Sequence, residues 1–259
     1  MKYAIVEGKK TEALKGGRGI CPCCNSELIA KCGDVKINHW AHKGNRNCDH
    51  WWENETEWHR KWKGLFPVEC QEVVHLDENG EKHIADVRTE TGLVIEFQHS
   101  FINPEERRSR IGFYQKLIWV VDGLRRIKDK PRFIKVIEEG RTSLLNNLII
   151  FLVEFPEESR IIKEWVNCDV PVFFDFQEPE RLWFLSPIST IDMAYIIQIN
   201  RNYFINSCEN GRIEDLVDKV VTIISNYQNY IKQKNQEEIN RRVNQIWRDG
   251  TRKKYPRRF

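Results

Sequence analysis

The 259-residue sequence lacks a long apolar run. Its longest one, residues 148–153, is far shorter than the roughly 20 residues that a membrane-spanning helix requires. The first ten residues also lack the apolar core of a signal peptide, because charged side chains interrupt them at once. We therefore predict a cytoplasmic protein with neither a membrane span nor an export signal.

The sequence also has little net charge. Its 41 lysines and arginines nearly balance 38 aspartates and glutamates, which leaves +3 and gives only weak support for a polyanionic partner. Positive charge is concentrated near the end of the chain, where eight basic residues accompany the single acid Asp249. These are Arg241, Arg242, Arg248, Arg252, Lys253, Lys254, Arg257 and Arg258. Such a tail is either a contact for DNA or a solvated end.

Five of the eight cysteines lie close together with three histidines, which indicates metal binding in a chain without an export signal. They are Cys21, Cys23, Cys24, Cys32 and Cys48, beside His39, His42 and His50. Zinc requires four ligands, and the two-residue spacing favours Cys21 and Cys24 as the first pair. The second pair comes from His39, His42 and Cys48, and the spacing does not choose among them. We expect a structural zinc ion; the alternative is a set of reduced, buried cysteines beside surface histidines.

The remaining pattern predicts one helix, three strands, a helix and a strand between residues 51 and 122. The expected bounds are 51–66 for the first helix, 68–76, 83–89 and 93–99 for the strands, 103–115 for the second helix and 116–122 for the last strand. Further along, we expect a helical stretch near 143–153, strands at 170–176 and 181–185, and a long amphipathic helix over 213–231.

Two carboxylates fall on consecutive predicted strands. Side chains alternate along a strand, so Glu96 and Gln98 share one face, and Asp86 on the neighbouring strand can lie on the same face. Together with the carbonyl of Phe97, these carboxylates form a hard oxygen cage suited to Mg²⁺ or Mn²⁺.

The first predicted helix carries a second polar group. Glu55, His59 and Lys63 are four residues apart and so line one helical face, where they could face the metal site and a phosphate. The alternative is a solvated charged face, which is common on helices.

In this order, the motifs resemble those of the competence protein CoiA-like nuclease family. They are Cys21-x-x-Cys24, His39-Trp40-Ala41-His42, Glu55-Thr56-x-x-His59-x-x-x-Lys63, Ala85-Asp86-Val87, Glu96-Phe97-Gln98-x-Ser100, Arg110-x-x-x-Tyr114 and the strand Ile118-Trp119-Val120-Val121. The resemblance covers about residues 1–125. It implies an α/β (α+β) fold with a PD-(D/E)XK restriction-endonuclease-like core.

The same resemblance implies roles for particular residues. Asp86 and Glu96 would bind the catalytic Mg²⁺ or Mn²⁺, and Gln98 stands where the broader superfamily often carries lysine, with an amide that can orient water. We infer that Lys63 could supply the positive charge that Gln98 lacks. Arg110 and Tyr114, four apart on the second helix, would face the substrate, with Arg110 binding a phosphate oxygen.

We therefore expect three parts: a zinc-binding module at 1–50, a nuclease-like domain at 51–190 and a helical region with the basic tail at 191–259. The predicted activity is Mg²⁺-dependent hydrolysis of DNA phosphodiester bonds, with Asp86, Glu96, Gln98, Glu55, His59 and Lys63 as candidate catalytic residues. The first alternative is a DNA-binding accessory protein whose nuclease centre is inactive. The second is a scaffold that binds protein partners, or a second copy of itself, through its C-terminal helices.

Overall fold

The computed structural model describes residues 1–34, 36–44, 48–51 and 55–254, with side chains as far as residue 248. The end of the predicted basic tail, residues 255–259, lies outside the described residues. The chain divides into two compact units, of which the first is Met1–Val217 and the second begins at Asp218.

The first unit opens with a small antiparallel sheet. Its strands are β1 (Tyr3–Val6), β2 (Lys9–Glu12), β3 (Arg18–Ile20), β4 (Glu27–Lys31) and β5 (His39–His42), in the order β2-β1-β3-β4-β5. Glu7 and Gly8 join the first two strands with φ angles of 50° and 78°, the left-handed conformation that a two-residue hairpin turn requires. The core beneath this sheet is small, and two of its few buried side chains are the cysteines Cys21 and Cys23.

A nine-stranded sheet forms the body of the first unit. Its strands are β6 (Gln71–Leu76), β7 (Lys82–Arg88), β8 (Val94–Gln98), β9 (Leu117–Asp122), β10 (Arg141–Leu145), β11 (Leu148–Val153), β12 (Val172–Asp175), β13 (Arg181–Leu185) and β14 (Ala194–Asn200). Their order is β10-β11-β14-β13-β12-β9-β8-β7-β6. The helices are α1 (Glu57–Lys63), α2 (Pro104–Phe113), α3 (Asp129–Glu139), α4 (Arg160–Trp165), α5 (Arg201–Glu209) and α6 (Ile213–Lys254), with short 3-10 turns at Val68–Cys70 and Pro156–Glu158.

The predicted order of elements between residues 51 and 122 is confirmed as α1-β6-β7-β8-α2-β9. β6, β7 and β8 form an antiparallel meander, and α2 then crosses over so that β9 runs parallel to β8. All residues of β8 and β9 are buried, as expected for parallel strands covered on both faces. This arrangement makes β8 a rigid support for whatever side chains it presents.

Local capping fixes the two helices near this meander. α2 begins where the Asn103 side chain accepts the Glu105 N–H and Pro104 occupies the first turn, as the sequence predicts. α1 is shorter than predicted, because Thr56 caps it in a reciprocal capping box with His59. Glu55 therefore precedes the helix instead of lying on it.

The helix predicted near residues 143–153 is wrong. This segment forms the β10–β11 hairpin, whose turn residues Asn146 and Asn147 have left-handed φ angles of 48° and 64°. Asparagine tolerates that conformation, so the Asn-Asn pair was the available turn signal. The large sheet also includes β14, and so it extends past residue 190, where the sequence analysis ended the nuclease-like domain.

The long helix predicted from residue 213 is confirmed and continues as α6 into the second unit. Within that unit, Glu237 pairs with Arg241 and Glu238 with Arg242, one helical turn apart on an exposed stretch. Among the described residues, the helices are too short or too polar to cross a membrane.

Candidate active site and metal centre

A cleft in the first unit brings together side chains that are distant in sequence. Seven of the predicted site residues line it: Glu55, His59, Lys63, Asp86, Glu96, Arg110 and Tyr114. Asp49 and Glu72, which the sequence analysis did not identify, line it as well. The cleft thus collects residues from α1 and the segment before it, from α2 and its C-terminal end, and from the β6–β8 meander.

Asp86 and Glu96 lie side by side at its centre. The register that pairs Val87 with Ile95 places Asp86 opposite Glu96 on the adjacent strand. The Asp86 backbone N–H donates to Glu96 Oε1 over 3.4 Å, and the Phe97 N–H donates to Asp86 Oδ2 over 3.0 Å. Strand alternation and register therefore create the pair of carboxylates that the sequence predicts.

Glu96 is 4% exposed. Burial and the nearby charge of Asp86 raise the pKa of Glu96 to about 8, against the lowering effect of Arg110. Arg110 Nη1 donates to Glu96 Oε2 over 2.8 Å. A buried acid beside a second, partly exposed carboxylate is an arrangement that a divalent cation would stabilise by offsetting their repulsion.

Lys63 holds three carboxylates together. Its Nζ lies 2.7 Å from Glu55 Oε1, 2.9 Å from Glu72 Oε1 and 3.7 Å from Asp86 Oδ1, and the residue is 3% exposed. Burial alone would lower the pKa of Lys63, but the charges of Glu72, Asp86 and Glu55 raise it above its ordinary value. Lys63 thus remains charged and positions the acidic side chains.

Glu72 is the main residue that sequence reasoning missed. Its φ of 47° is left-handed, a conformation that costs a non-glycine residue on the order of 1–3 kcal/mol. The backbone turns its carboxylate to accept the N–H groups of Lys2 and Tyr3 and the ammonium of Lys63. Burial opposes ionisation, but Lys63 and these hydrogen bonds hold the pKa of Glu72 below its usual range. No pattern in the sequence signals this turn of the backbone.

Asp49 is the second missed residue. Its Oδ1 accepts the Trp51 N–H over 2.9 Å, and its Oδ2 accepts the Ile84 N–H over 2.9 Å. It follows Cys48 directly, so a buried carboxylate links the cysteine-rich segment to β7. Asp49 lies between Cys48 and His50 in the sequence, so a role outside the zinc cluster could not be recognised from its position.

The remaining predicted site residues have different outcomes. Glu55, His59 and Lys63 do share the cleft, although not as one helical stripe, because α1 starts after Glu55. Gln98 lies on the face of β8 that carries Glu96 but is not part of the cleft lining, and its amide donates to the Ser100 carbonyl over 3.2 Å.

Arg110 and Tyr114 both line the cleft and are both buried. The Arg110 guanidinium is bonded to Glu96, to Glu106 and to the Trp51 carbonyl, so it supports Glu96 in this conformation. A phosphate contact by Arg110, as the sequence analysis expected, would require exchange of one of these bonds. Burial raises the pKa of Tyr114, which keeps its hydroxyl protonated.

A second group of ligands lies in the N-terminal sheet. Cys21, Cys24, His42 and Cys48 bring their donor atoms within 4.8 Å of one another. Two sulfur atoms bound to one tetrahedral zinc ion lie about 3.8 Å apart, and a sulfur and a nitrogen about 3.5 Å apart. The distances are 3.9 Å for Cys21–Cys48, 3.3 Å for Cys24–His42 and 3.4 Å for Cys48–His42. This cluster therefore fits a zinc ion.

Strand geometry resolves the choice that the sequence left open. His39 and His42 are three residues apart in β5, so their side chains point to opposite faces. His42 faces the cysteines, while His39 Nδ1 donates to the Ile37 carbonyl over 2.9 Å. Burial and the charges of Cys21 and Cys24 raise the pKa of the Cys48 thiol, and a bound cation would reverse that effect.

Comparison with known proteins bears on the cysteine and histidine cluster. The family model of the competence protein CoiA N-terminal domain matches residues 6–51, which contain the whole cysteine and histidine cluster. Competence protein CoiA of Bacillus subtilis (strain 168) is 29% identical over 138 residues, or 49% of this chain and 37% of that protein. These matches support a CoiA-like family assignment. The chain thus covers well under half of that relative, and no solved structure matches it.

Replacing Lys63 by methionine is expected to destabilise the first unit by about 3–5 kcal/mol, because the buried carboxylates of Glu55 and Glu72 would lose their shared counter-charge. Urea unfolding followed by tryptophan fluorescence measures the change. Lys61→Met is the matched control, since Lys61 is exposed on the same helix and should change stability little. Equal stability of the two variants would contradict the role given to Lys63.

With its zinc bound but no Mg²⁺ or Mn²⁺ added, the protein is expected to lose stability between about pH 5 and pH 8. Folded Glu96 keeps its proton to about pH 8, whereas the unfolded chain releases it near the ordinary value of about 4.3. The folded state binds more protons in this window, so the contribution is complete at low pH and is lost as the pH rises. Thermal unfolding without added Mg²⁺ or Mn²⁺ should show a shallower decline for Glu96→Gln than for wild type or Glu90→Gln. Parallel curves would show that Glu96 is not protonated in the fold.

Proposed function

We propose that this CoiA-like chain is a metal-dependent nuclease that hydrolyses DNA phosphodiester bonds in the cleft around Asp86 and Glu96. The observation that carries the proposal is the placement of Asp86 opposite Glu96 on the adjacent strands β7 and β8, where the Glu96 carboxylate accepts the Asp86 N–H and Lys63 lies beside Asp86. The element order α1-β6-β7-β8-α2-β9 supports a PD-(D/E)XK core, with the acids on the second and third strands of the meander.

The donor set suits a hard divalent cation. Asp86 is partly exposed and Glu96 is buried, so an ion could approach from the open side and complete its shell with water. Mg²⁺ or Mn²⁺ held there would supply Lewis-acid chemistry to the attacking water and the scissile phosphate. The residues therefore provide the oxygen ligands that such an ion prefers.

The other residues of the cleft have supporting roles in this proposal. Lys63 fixes Asp86 relative to Glu55 and Glu72 and brings positive charge next to the acids. Arg110 holds Glu96 on its other side. His59 lines the cleft and is the residue proposed to move a proton.

DNA is the proposed substrate because a divalent-cation site beside lysine and arginine side chains suits a phosphodiester, and because the relative is a competence protein. The name of that relative places it in competence, and for this chain we propose a role in DNA processing during uptake and recombination or in defence. Arg108, which is exposed on α2, offers a further contact for a phosphate backbone. The basic residues that the sequence places near the end of the chain are a separate candidate for phosphate contacts.

A cleavage assay tests the proposal. Linear, circular and single-stranded DNA are incubated with the protein in Mg²⁺, in Mn²⁺ and in chelator, and the products are separated by electrophoresis. Cleavage that requires the divalent ion is expected, and the comparison of substrates shows whether free ends are needed. Absence of cleavage with every substrate and both ions would contradict the proposed activity.

A second candidate function is a DNA-binding accessory protein without catalysis. Two observations favour this alternative. Gln98 stands where the broader superfamily often carries lysine, and the Arg110 guanidinium is already paired with Glu96. Binding through lysine and arginine contacts with phosphates should weaken steeply as salt rises. DNA binding that weakens with salt, together with no cleavage in the assay above, would support this second function.

A further inference from the structure

His50, Glu81 and His83 form a compact group outside the cysteine cluster. Their donor atoms lie within 4.8 Å of one another, with His83 buried and the other two residues exposed. The group joins the segment that follows Cys48 to the start of β7. We propose that it is a second metal site, which binds a borderline divalent transition-metal ion such as Zn²⁺, Co²⁺ or Ni²⁺.

The two ring nitrogens of His83 face different carboxylates. Nδ1 lies 3.0 Å from Asp49 Oδ1, and Nε2 lies 2.8 Å from Glu81 Oε1. Asp49 also accepts the backbone N–H groups of Trp51 and Ile84, so it is held in place as an acceptor. In the neutral tautomer that carries its proton on Nδ1, His83 donates to Asp49, and the lone pair of Nε2 points towards Glu81.

This orientation is the one found in metal sites. A histidine that binds a metal through one nitrogen commonly donates its other N–H to a carboxylate, which fixes the ring and raises its basicity. With neutral His83, an Nε2 lone pair would face the lone pairs of the Glu81 carboxylate at 2.8 Å. A cation between them converts that repulsion into two coordinate bonds. The rival arrangement is a protonated His83 that bridges the two carboxylates without a metal.

His50 completes the group. Its ring is 5.1 Å from the His83 ring, centroid to centroid, at an interplanar angle of 74°. Donors bound about 2.1 Å from one ion are at most about 4.2 Å apart. The donor atoms of this group already lie within 4.8 Å of one another, so only small side-chain movements would bring all three to one ion.

Ligand chemistry sets the kind of ion. Two imidazoles and one carboxylate suit borderline metals, whereas Mg²⁺ prefers oxygen donors alone. Three protein ligands also leave at least one coordination position open. Because Asp49 both supports His83 and lines the neighbouring cleft, occupancy of this site would hold one wall of the cleft and connect the N-terminal module to β7.

Metal titration of the untagged full chain tests this site independently of nuclease activity. Protein that retains zinc at the cysteine cluster is titrated calorimetrically with Ni²⁺ in excess Mg²⁺, and bound zinc and nickel are counted by elemental analysis after dialysis. Wild type is expected to bind one equivalent of Ni²⁺ with its zinc retained. His50→Ala and Glu81→Gln, both at exposed positions, should each weaken that binding at least tenfold.

Two control variants locate the bound ion. Glu78→Gln removes an exposed carboxylate from the same β6–β7 turn, outside the group, and should leave the affinity unchanged. Asp86→Asn alters the cleft and should also retain the Ni²⁺ equivalent. Failure of wild type to take up nickel would support the protonated His83 bridge and overturn the proposal. Equal affinity in wild type, His50→Ala and Glu81→Gln would overturn it as well.

Discussion

Asp86→Asn is expected to lower the rate of Mg²⁺-dependent DNA cleavage by at least about 10³-fold, which corresponds to about 4 kcal/mol of transition-state stabilisation. Asparagine has nearly the same shape, and its carbonyl oxygen can still accept the Phe97 N–H that Asp86 accepts. The variant loses one negative charge and one carboxylate ligand at the centre of the cleft. Cleavage rates at saturating Mg²⁺ measure the effect.

Glu90→Gln is the matched control for this substitution. Glu90 is an exposed acid in the turn that joins the same two strands, β7 and β8. The Glu90→Gln substitution should leave the cleavage rate within a factor of about two of wild type. Circular dichroism should show that both variants keep the fold. Undiminished cleavage by Asp86→Asn would move the catalytic centre away from this pair of carboxylates.

Cys48→Ser is expected to release zinc and to unfold the N-terminal sheet. Structural zinc contributes on the order of 10–16 kcal/mol to folding in zinc-finger peptides, whereas the core under β1–β5 is small. A hydroxyl is a poor replacement for a thiolate ligand, so the tetrahedral set would be incomplete. Hydrogen exchange should show loss of backbone protection in β1–β5, and elemental analysis should show less than one zinc per chain.

Cys32→Ser provides the comparison for this variant. Cys32 is partly buried in the same module but lies outside the ligand cluster, and its thiol faces the Ala13 carbonyl, which serine can also contact. This variant should keep its zinc and its exchange protection. Full protection and no zinc in wild-type protein would contradict a structural metal in this module.

The central pair of acids could be predicted from the sequence because it depends on local rules. Strand alternation placed Glu96 on one face, and the tight turn between two strands fixed the register that brings Asp86 opposite to it. Helix signals at Asn103 and Pro104 likewise gave the crossover that follows. These features use periods and caps that a single sequence displays.

Residues whose direction depends on an exceptional backbone could not be predicted. Glu72 reaches the cleft through a left-handed φ in a strand, and Asp49 is held there by the distant Ile84 N–H, which its carboxylate accepts. The hairpin at 141–153 was missed because an apolar run of this length fits a helix as well as a strand. Arg110 lines the cleft, and its guanidinium pairs with Glu96, since a buried carboxylate attracts the nearest guanidinium.

Anomalous diffraction from crystals soaked in Mn²⁺ tests the central claim most directly. We expect a peak within coordination distance of both the Asp86 and Glu96 carboxylates in wild-type crystals, and its loss in Asp86→Asn crystals. Two results would contradict the claim that these two acids bind the catalytic cation. One is the absence of an anomalous peak in the cleft at saturating Mn²⁺. The other is an Mn²⁺ peak away from both carboxylates while Lys63 still pairs with Asp86.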